Sequence, residues 1–248
     1  MALQERVVIV TGASSGIGRA TALCCARAGA NVVIADINEA GLQETAEALA
    51  AVGTTAVTVR IDISTESDVQ ELVRSAVGAY GRIDVLINCA GVLEGPFVPL
   101  DTLEEYTWDR VIDINLKGSF FAAKHTAAVM KQQGHGVIIL ISSGAGVSGG
   151  SSSVAYGSSK GGVHGLSLVL AGQLAPFGIR VHAVCPGGIA TPMKLSVIAA
   201  EARLSGKPEE EALQAASVSL GDPEGVGRVL AFMASEDADF LRGTVFTR

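Results

Sequence analysis

Residues 7–10 form an unbroken β-branched run, Val-Val-Ile-Val, which stops at Thr11-Gly12-Ala13-Ser14-Ser15-Gly16-Ile17-Gly18. An uninterrupted apolar run suits a strand buried on both faces, the pattern of a parallel sheet covered by helices. After Gly18 a helical pattern places Ala20, Leu23, Cys24 and Ala28 on its inner side and stops at Gly29, a common helix end. Strand, glycine-rich turn and helix in that order form a cradle for a pyrophosphate. Glycines let the backbone turn sharply and approach a ligand, and the helix N-terminus supplies N–H groups and partial positive charge. Gly12, Ser14, Ser15, Gly16, Ile17 and Gly18 are the candidate phosphate-loop residues. The bland alternative is a strand-to-helix turn that is merely glycine-rich; the strand before it and the helix after it argue for the cradle.

The same alternation continues. Strand patterns occupy 31–35, 56–61, 83–87, 137–141, 179–184 and 243–247. Helical patterns occupy 39–51, 64–80, 107–130, Tyr156 to about 176, and 223–235. Alternating strands and helices predict one α/β domain spanning 1–248. With 248 residues and 48% hydrophobic content the chain can bury a large single core. There is no solenoid repeat and no linker. A net charge of −7 does not suit a nucleic-acid partner, which calls for a basic patch. The first ten residues carry acid and base before a short apolar run and do not read as a signal peptide, and no apolar stretch reaches membrane-spanning length. A cytoplasmic protein with no membrane partner is the expectation. Cys24, Cys25, Cys89 and Cys185 lie in apolar contexts without metal-ligand spacing and read as reduced core thiols. His125, His135, His164 and His182 are scattered, so no metal site is expected.

The second strand pattern ends at Asp36, near the spacing of a carboxylate that accepts hydrogen bonds from adenosine ribose hydroxyls and repels a 2′-phosphate. Ile37 and Asn38 follow, so no basic residue stands there to receive such a phosphate, and NAD is favoured over NADP. Asp36 could also cap the next helix. Asp62 and Ile63, after the third strand, are candidates for the adenine side, with a simple turn as the alternative. Asn88, Cys89, Ala90 and Gly91 put small residues at a strand end, where a ligand can lie across them. Asn115 sits among Trp108, Val111, Ile112, Ile114, Leu116 and Phe120; a mediocre helix former in such company suggests a hydrogen-bonding task, and a solvent-facing amide is the alternative. Pro186, Gly187, Gly188, Ile189, Ala190 and Thr191 make a rigid strand exit. Thr191 could bond a carboxamide or cap the next helix. Residues 188–219, broken at Gly206–Glu209, read as a mobile helical lid over the pocket.

The chemistry concentrates between Ser142 and Lys160. The strand at 137–141 stops at Ser142-Ser143, a Gly/Ser loop follows, and Tyr156 and Lys160 are spaced i, i+4 on one helical face. A free phenol has a pKa near ~10. A neighbouring ammonium lowers it and suits the phenol to proton exchange near neutrality. Ser143 could hydrogen-bond the same substrate oxygen. Alone, an exposed Tyr/Lys pair would be the ordinary reading of that spacing.

Together these residues resemble the classical short-chain dehydrogenase/reductase family over nearly the whole chain. The resemblance rests on Thr11 to Gly18, Asp62, Asn88-Cys89-Ala90-Gly91, Asn115, Ser143, Tyr156-Gly157-Ser158-Ser159-Lys160, and Pro186-Gly187 with Thr191. It implies a doubly wound Rossmann fold, with a mostly parallel seven-stranded sheet in the order 3-2-1-4-5-6-7 and helices on both faces. Taken with Asp36, it points to NAD(H)-dependent hydride transfer between nicotinamide and a secondary alcohol or its ketone. In the implied tetrad, Ser143 orients the substrate oxygen and Tyr156 is the general acid or base. Lys160 holds the nicotinamide ribose and lowers the Tyr156 pKa, and Asn115 anchors a water that carries the proton outward. An NADP-dependent 3-oxoacyl-[acyl-carrier-protein] reductase and a nucleotide-binding regulator without turnover are the alternatives. Cys89 stands where the family usually has Asn, and His182 where Asn is common. The family commonly continues into an Asp-Gly-Gly-type tail, whereas this sequence stops at Thr247-Arg248. A homodimer or homotetramer through the Asn115 and Tyr156 helices is implied.

Overall fold

The computed structural model describes residues 3–248. Its strands are β1 (Val7–Thr11), β2 (Asn31–Asp36), β3 (Val57–Arg60), β4 (Val85–Asn88), β5 (Gly136–Ile141), β6 (Ile179–Cys185) and β7 (Gly243–Phe246). Its α-helices are α1 (Gly16–Arg27), α2 (Glu39–Ala51), α3 (Glu66–Tyr80), α4 (Glu105–Ile112), α5 (Gly118–Gln133), α6 (Gly144–Val147), α7 (Val154–Leu174), α8 (Pro192–Leu204), α9 (Glu209–Ser219) and α10 (Pro223–Ala234). The strands pair in parallel throughout, in the order β3-β2-β1-β4-β5-β6-β7. Alternate side chains feed two cores. Val8, Val10, Val32, Ile34, Ile87 and Ile139 pack with α1, α2 and α10. Val7, Ile9, Val33, Leu86, Ile138 and Leu140 pack with α3, α5 and α7. Both faces are therefore apolar, which explains why the central strands read as continuous runs rather than alternating ones.

The chain winds one way from β1 through β2 to β3, then returns to place β4 on the other side of β1. The crevice at the carboxyl ends of β1 and β4 is the topological switch point where such sheets bind ligands. No helix among the described residues is long and apolar enough to cross a membrane.

Two elements differ from expectation. The rod expected over 107–130 is α4, a π-helical turn at Asp113–Lys117, and α5. Two contacts accompany the extra residue. The Asn115 side chain is pulled onto the Val92 backbone, and Gly118 packs so closely on Ile63 that a Cβ would lie 3.0 Å from two of its carbons. The Gly/Ser run after Ser143 is not all loop either. Ser143 Oγ accepts from the Ala145 N–H at 3.2 Å and starts the short α6.

Gly12 carries a particular backbone load. Its φ is +65°, and a Cβ there would lie 2.7 Å from the Ala90 nitrogen. Gly12→Ala combines a left-handed conformation with overpacking and is expected to cost about 3 kcal/mol, read as a lower urea midpoint.

His182 lies on β6 and is 1% exposed, and neither ring nitrogen reaches a hydrogen-bond partner among the described residues. Burial, with Arg180 adding to it, pulls its pKa down to about 4. A folded pKa below the unfolded value means that the unfolded chain binds more protons between about pH 6.5 and 4. Stability should therefore fall as pH drops through that window, by about 3 kcal/mol for this one group. Denaturant titrations across it should show this loss in the wild type and not in His182→Asn.

Candidate active site

A cavity of about 960 Å³ opens at the carboxyl ends of the strands. Its wall includes Gly12, Ser14, Ser15, Gly16, Ile17, Gly18, Asp36, Asp62, Ile63, Ala90, Gly91, Ser143, Tyr156, Lys160, Pro186, Gly187, Ile189 and Thr191. The structure thus brings together every site residue expected from the sequence except Asn88 and Asn115, whose side chains turn inward.

Ser15 is the N-cap of α1, yet its side chain makes no capping bond and the first turn carries no acid. The N–H groups and positive end of α1 therefore face the cavity without a side-chain anion, as an anionic pyrophosphate would require. Gly16 has φ +51°, and a Cβ there would be 3.1 Å from Thr191 Cγ2 across the cavity. The residues present fit a dinucleotide. Arg19, which pattern reading passed over, shapes this loop from behind. It donates to the Ser14 carbonyl at 2.5 Å and to Thr45 Oγ1 at 2.9 Å, and pairs with Glu44 at 2.7 Å. Only its place directly after the glycine motif hinted at such a task.

Asp36 is not the cap of α2. Asn38 is, through its side-chain oxygen and the Gly41 N–H. Asp36 instead accepts from the Ser14 N–H and the Asn38 N–H, each at 3.0 Å. These bonds fix the carboxylate at the cavity edge. Asp62 also holds a local turn, accepting from Ser64 N–H at 2.9 Å and Ser64 O–H at 2.6 Å.

Asn88 is a brace. Its oxygen accepts from Thr11 Oγ1 at 2.7 Å and its amide donates to Ser119 Oγ at 3.0 Å, tying β4 to β1 and α5. Asn115 is fully buried and clamps both backbone groups of Val92, a cavity residue. It accepts from Val92 N–H at 2.8 Å and donates to Val92 C=O and to Ser159 Oγ at 2.9 Å each. Its side-chain amide is thus spent on positioning. Its main-chain carbonyl takes the Ser119 hydroxyl.

Ser153 caps α7 by accepting the Tyr156 N–H at 3.2 Å. One turn on, the buried Lys160 Nζ donates to the Ile141 carbonyl at 2.7 Å, and Ser142 Oγ donates to the Lys160 carbonyl at 2.8 Å. The end of β5 and the start of α7 are thus locked together. Ser143 and Tyr156 stand together on the cavity wall. The electrostatics differ from the sequence expectation. Lys160 Nζ lies over the Tyr156 ring, 5.8 Å from its centroid, and does not depress the phenol here. Burial pushes the Tyr156 pKa up, and the neighbouring Ser143 hydroxyl opposes it. Burial likewise pulls Lys160 down to about 8, opposed by neighbouring Cys89 and Cys185. Removal from water is the largest influence on both groups. Burial drives the Cys89 thiol on the cavity wall up to about 12 and so holds it in the protonated form.

The family model for short chain dehydrogenases matches residues 6–202. The chain belongs to the short-chain dehydrogenase family. It is 40% identical to the cis-4-hydroxycyclohexanecarboxylate dehydrogenase of Sinomonas cyclohexanicum, over 98% of this chain and 95% of that one. It is 35% identical to a 3-oxoacyl-[acyl-carrier-protein] reductase of Thermotoga maritima, over 99% and 96%. Among solved structures, a variant actinorhodin polyketide ketoreductase with NADPH matches with a TM-score of 0.93 and 31% identity, covering 100% of this short-chain dehydrogenase and 97% of the ketoreductase. The protein is accordingly an oxidoreductase of a family that uses nicotinamide cofactors.

Proposed function

We propose that the protein interconverts a secondary alcohol and its ketone with NAD(H), and that Tyr156 carries the proton. The supporting observation is that half-buried Ser143 and Tyr156 and buried Lys160 share the wall of a cavity whose other end is an uncapped glycine loop. The Gly12–Gly18 loop would hold the pyrophosphate, Asp36 the adenosine ribose, Asp62 and Ile63 the adenine side. Asn88 and Asn115 would keep the walls at Ala90, Gly91 and Val92 in place. Pro186, Gly187, Ile189 and Thr191 would face the carboxamide end, and Lys160 the second ribose. Bound nicotinamide supplies or accepts the hydride. The protein's part is to place the substrate oxygen against Ser143 and to take or give its proton at the Tyr156 hydroxyl. A bound cationic ring and the Lys160 ammonium would together offset the burial that raises the phenol pKa.

NADP is the competing cofactor, and the ketoreductase solved with NADPH is the observation that favours it. Asp36 argues the other way, because a 2′-phosphate would meet a fixed carboxylate followed by Ile37 and Asn38 rather than by a cation. Initial-rate oxidation of secondary alcohols with each cofactor tests the reading. Turnover with NAD supports it, and turnover with NADP alone would overturn the cofactor assignment. The exposed apolar side chains Phe120 on α5 and Leu168 and Val169 on α7 fit pairing of two copies through these helices. Sedimentation should show a dimer or larger, and Leu168→Glu should shift it toward monomer.

A further inference from the structure

We infer that Phe97 is the specificity-determining wall of the substrate end of this cavity, and that it selects a carbocyclic secondary alcohol or its ketone. The inference rests on the alcohol dehydrogenase reading above. Phe97 has φ +64°, a backbone conformation that costs a bulky side chain free energy and that persists only where surrounding bonds impose it. Those bonds are present. The Phe97 N–H donates to the Ser152 carbonyl at 2.7 Å, and Ser153 Oγ donates to the Glu94 carbonyl at 2.6 Å. Ser153 is the same residue that caps the Tyr156 helix. The loop carrying Phe97 is therefore stitched directly to the start of the helix that presents the phenol.

The ring lines the cavity yet is 38% exposed, so it stands at the mouth and is not part of either sheet core. Leu93 from the same loop, and Met193 and Val197 from α8, add apolar surface to the same cavity. A flat aromatic face carried on a hydrogen-bonded backbone gains most from a partner that is itself compact and stiff. A carbocycle has its rotors already frozen, so contact with the ring is not offset by lost chain freedom as it would be for a flexible acyl chain. The reacting C–O bond of such a ring would point to Ser143 and Tyr156 while its far edge rests on Phe97.

The test compares full-length wild type, Phe97→Leu and Phe97→Gly, using cyclohexanol and 2-butanol with NAD. Glycine adopts the positive φ without strain, so that variant removes the ring and keeps the loop. The ratio of kcat/KM for cyclohexanol to that for 2-butanol is expected to fall at least ~10-fold in Phe97→Gly and less in Phe97→Leu. Most of the fall should be in KM. An unchanged ratio, with both substrates affected equally or not at all, would overturn the inference. Calorimetric binding of cyclohexanone to protein saturated with NADH separates it from the broader reading. Ring binding that weakens in Phe97→Gly supports the inference even if the wild type turns over neither alcohol, an outcome that would sink the proposed function instead. Equal binding of cyclohexanone by the wild type and Phe97→Gly would overturn it.

Discussion

Tyr156→Phe is expected to lower kcat for secondary-alcohol oxidation by about a thousandfold. The phenol is the one proton-exchanging group on the cavity wall with the Ser143 hydroxyl beside it and a buried amine one helical turn away. Phenylalanine keeps the ring and the packing of α7 and removes only the exchangeable proton. Cofactor binding should change little, and the melting temperature should stay within a few degrees of wild type. A variant retaining a tenth or more of the wild-type rate would assign the proton to another group. A variant that loses cofactor binding as well would make Tyr156 a structural residue.

The second large effect is expected at the opposite end of the cavity. Wild-type protein should bind NADH on the order of 100-fold more tightly than NADPH, since like charges brought together cost several kcal/mol. The Asp36 carboxylate cannot easily swing away, because both its oxygens are held by backbone N–H groups. Asp36→Ala with Ile37→Arg removes the repulsion and adds a guanidinium at an exposed position on the cavity wall, and should reverse the preference. Asp36→Ala alone should close most of the gap without reversing it, at some cost to NADH affinity through the lost ribose contact. Fluorescence titration with both reduced cofactors reads all three. Equal wild-type affinities would mean that Asp36 only braces Ser14.

The order of strands and helices was legible because burial on both sheet faces leaves continuous apolar runs, and the glycine turn announces itself by composition. The Tyr156 and Lys160 pairing was legible because a helix fixes which side chains share a face. What pattern reading missed depends on partners distant in the chain. The π-turn at Asp113–Lys117 fits a helical period too closely to break it, and accompanies the Asn115 clamp on Val92. Asn88 reads as a ligand contact by position, yet Thr11 and Ser119 claim its side chain. The positive φ of Phe97 had no local cue at all, since its bonding partner Ser152 lies on another loop. The burial of Lys160 and the partial burial of Tyr156 were not legible for the same reason. Spacing gives their proximity, but only the packed structure gives the burial that raises the one pKa and lowers the other.

A crystal structure of the protein with oxidised NAD tests the central claim most directly. The account predicts one dinucleotide spanning the cavity, with its pyrophosphate on the Gly12–Gly18 loop and the Tyr156 and Ser143 hydroxyls converging on one oxygen site beside the nicotinamide ring. A phenol turned away from that ring, or a dinucleotide bound with its nicotinamide end remote from Tyr156, would contradict it.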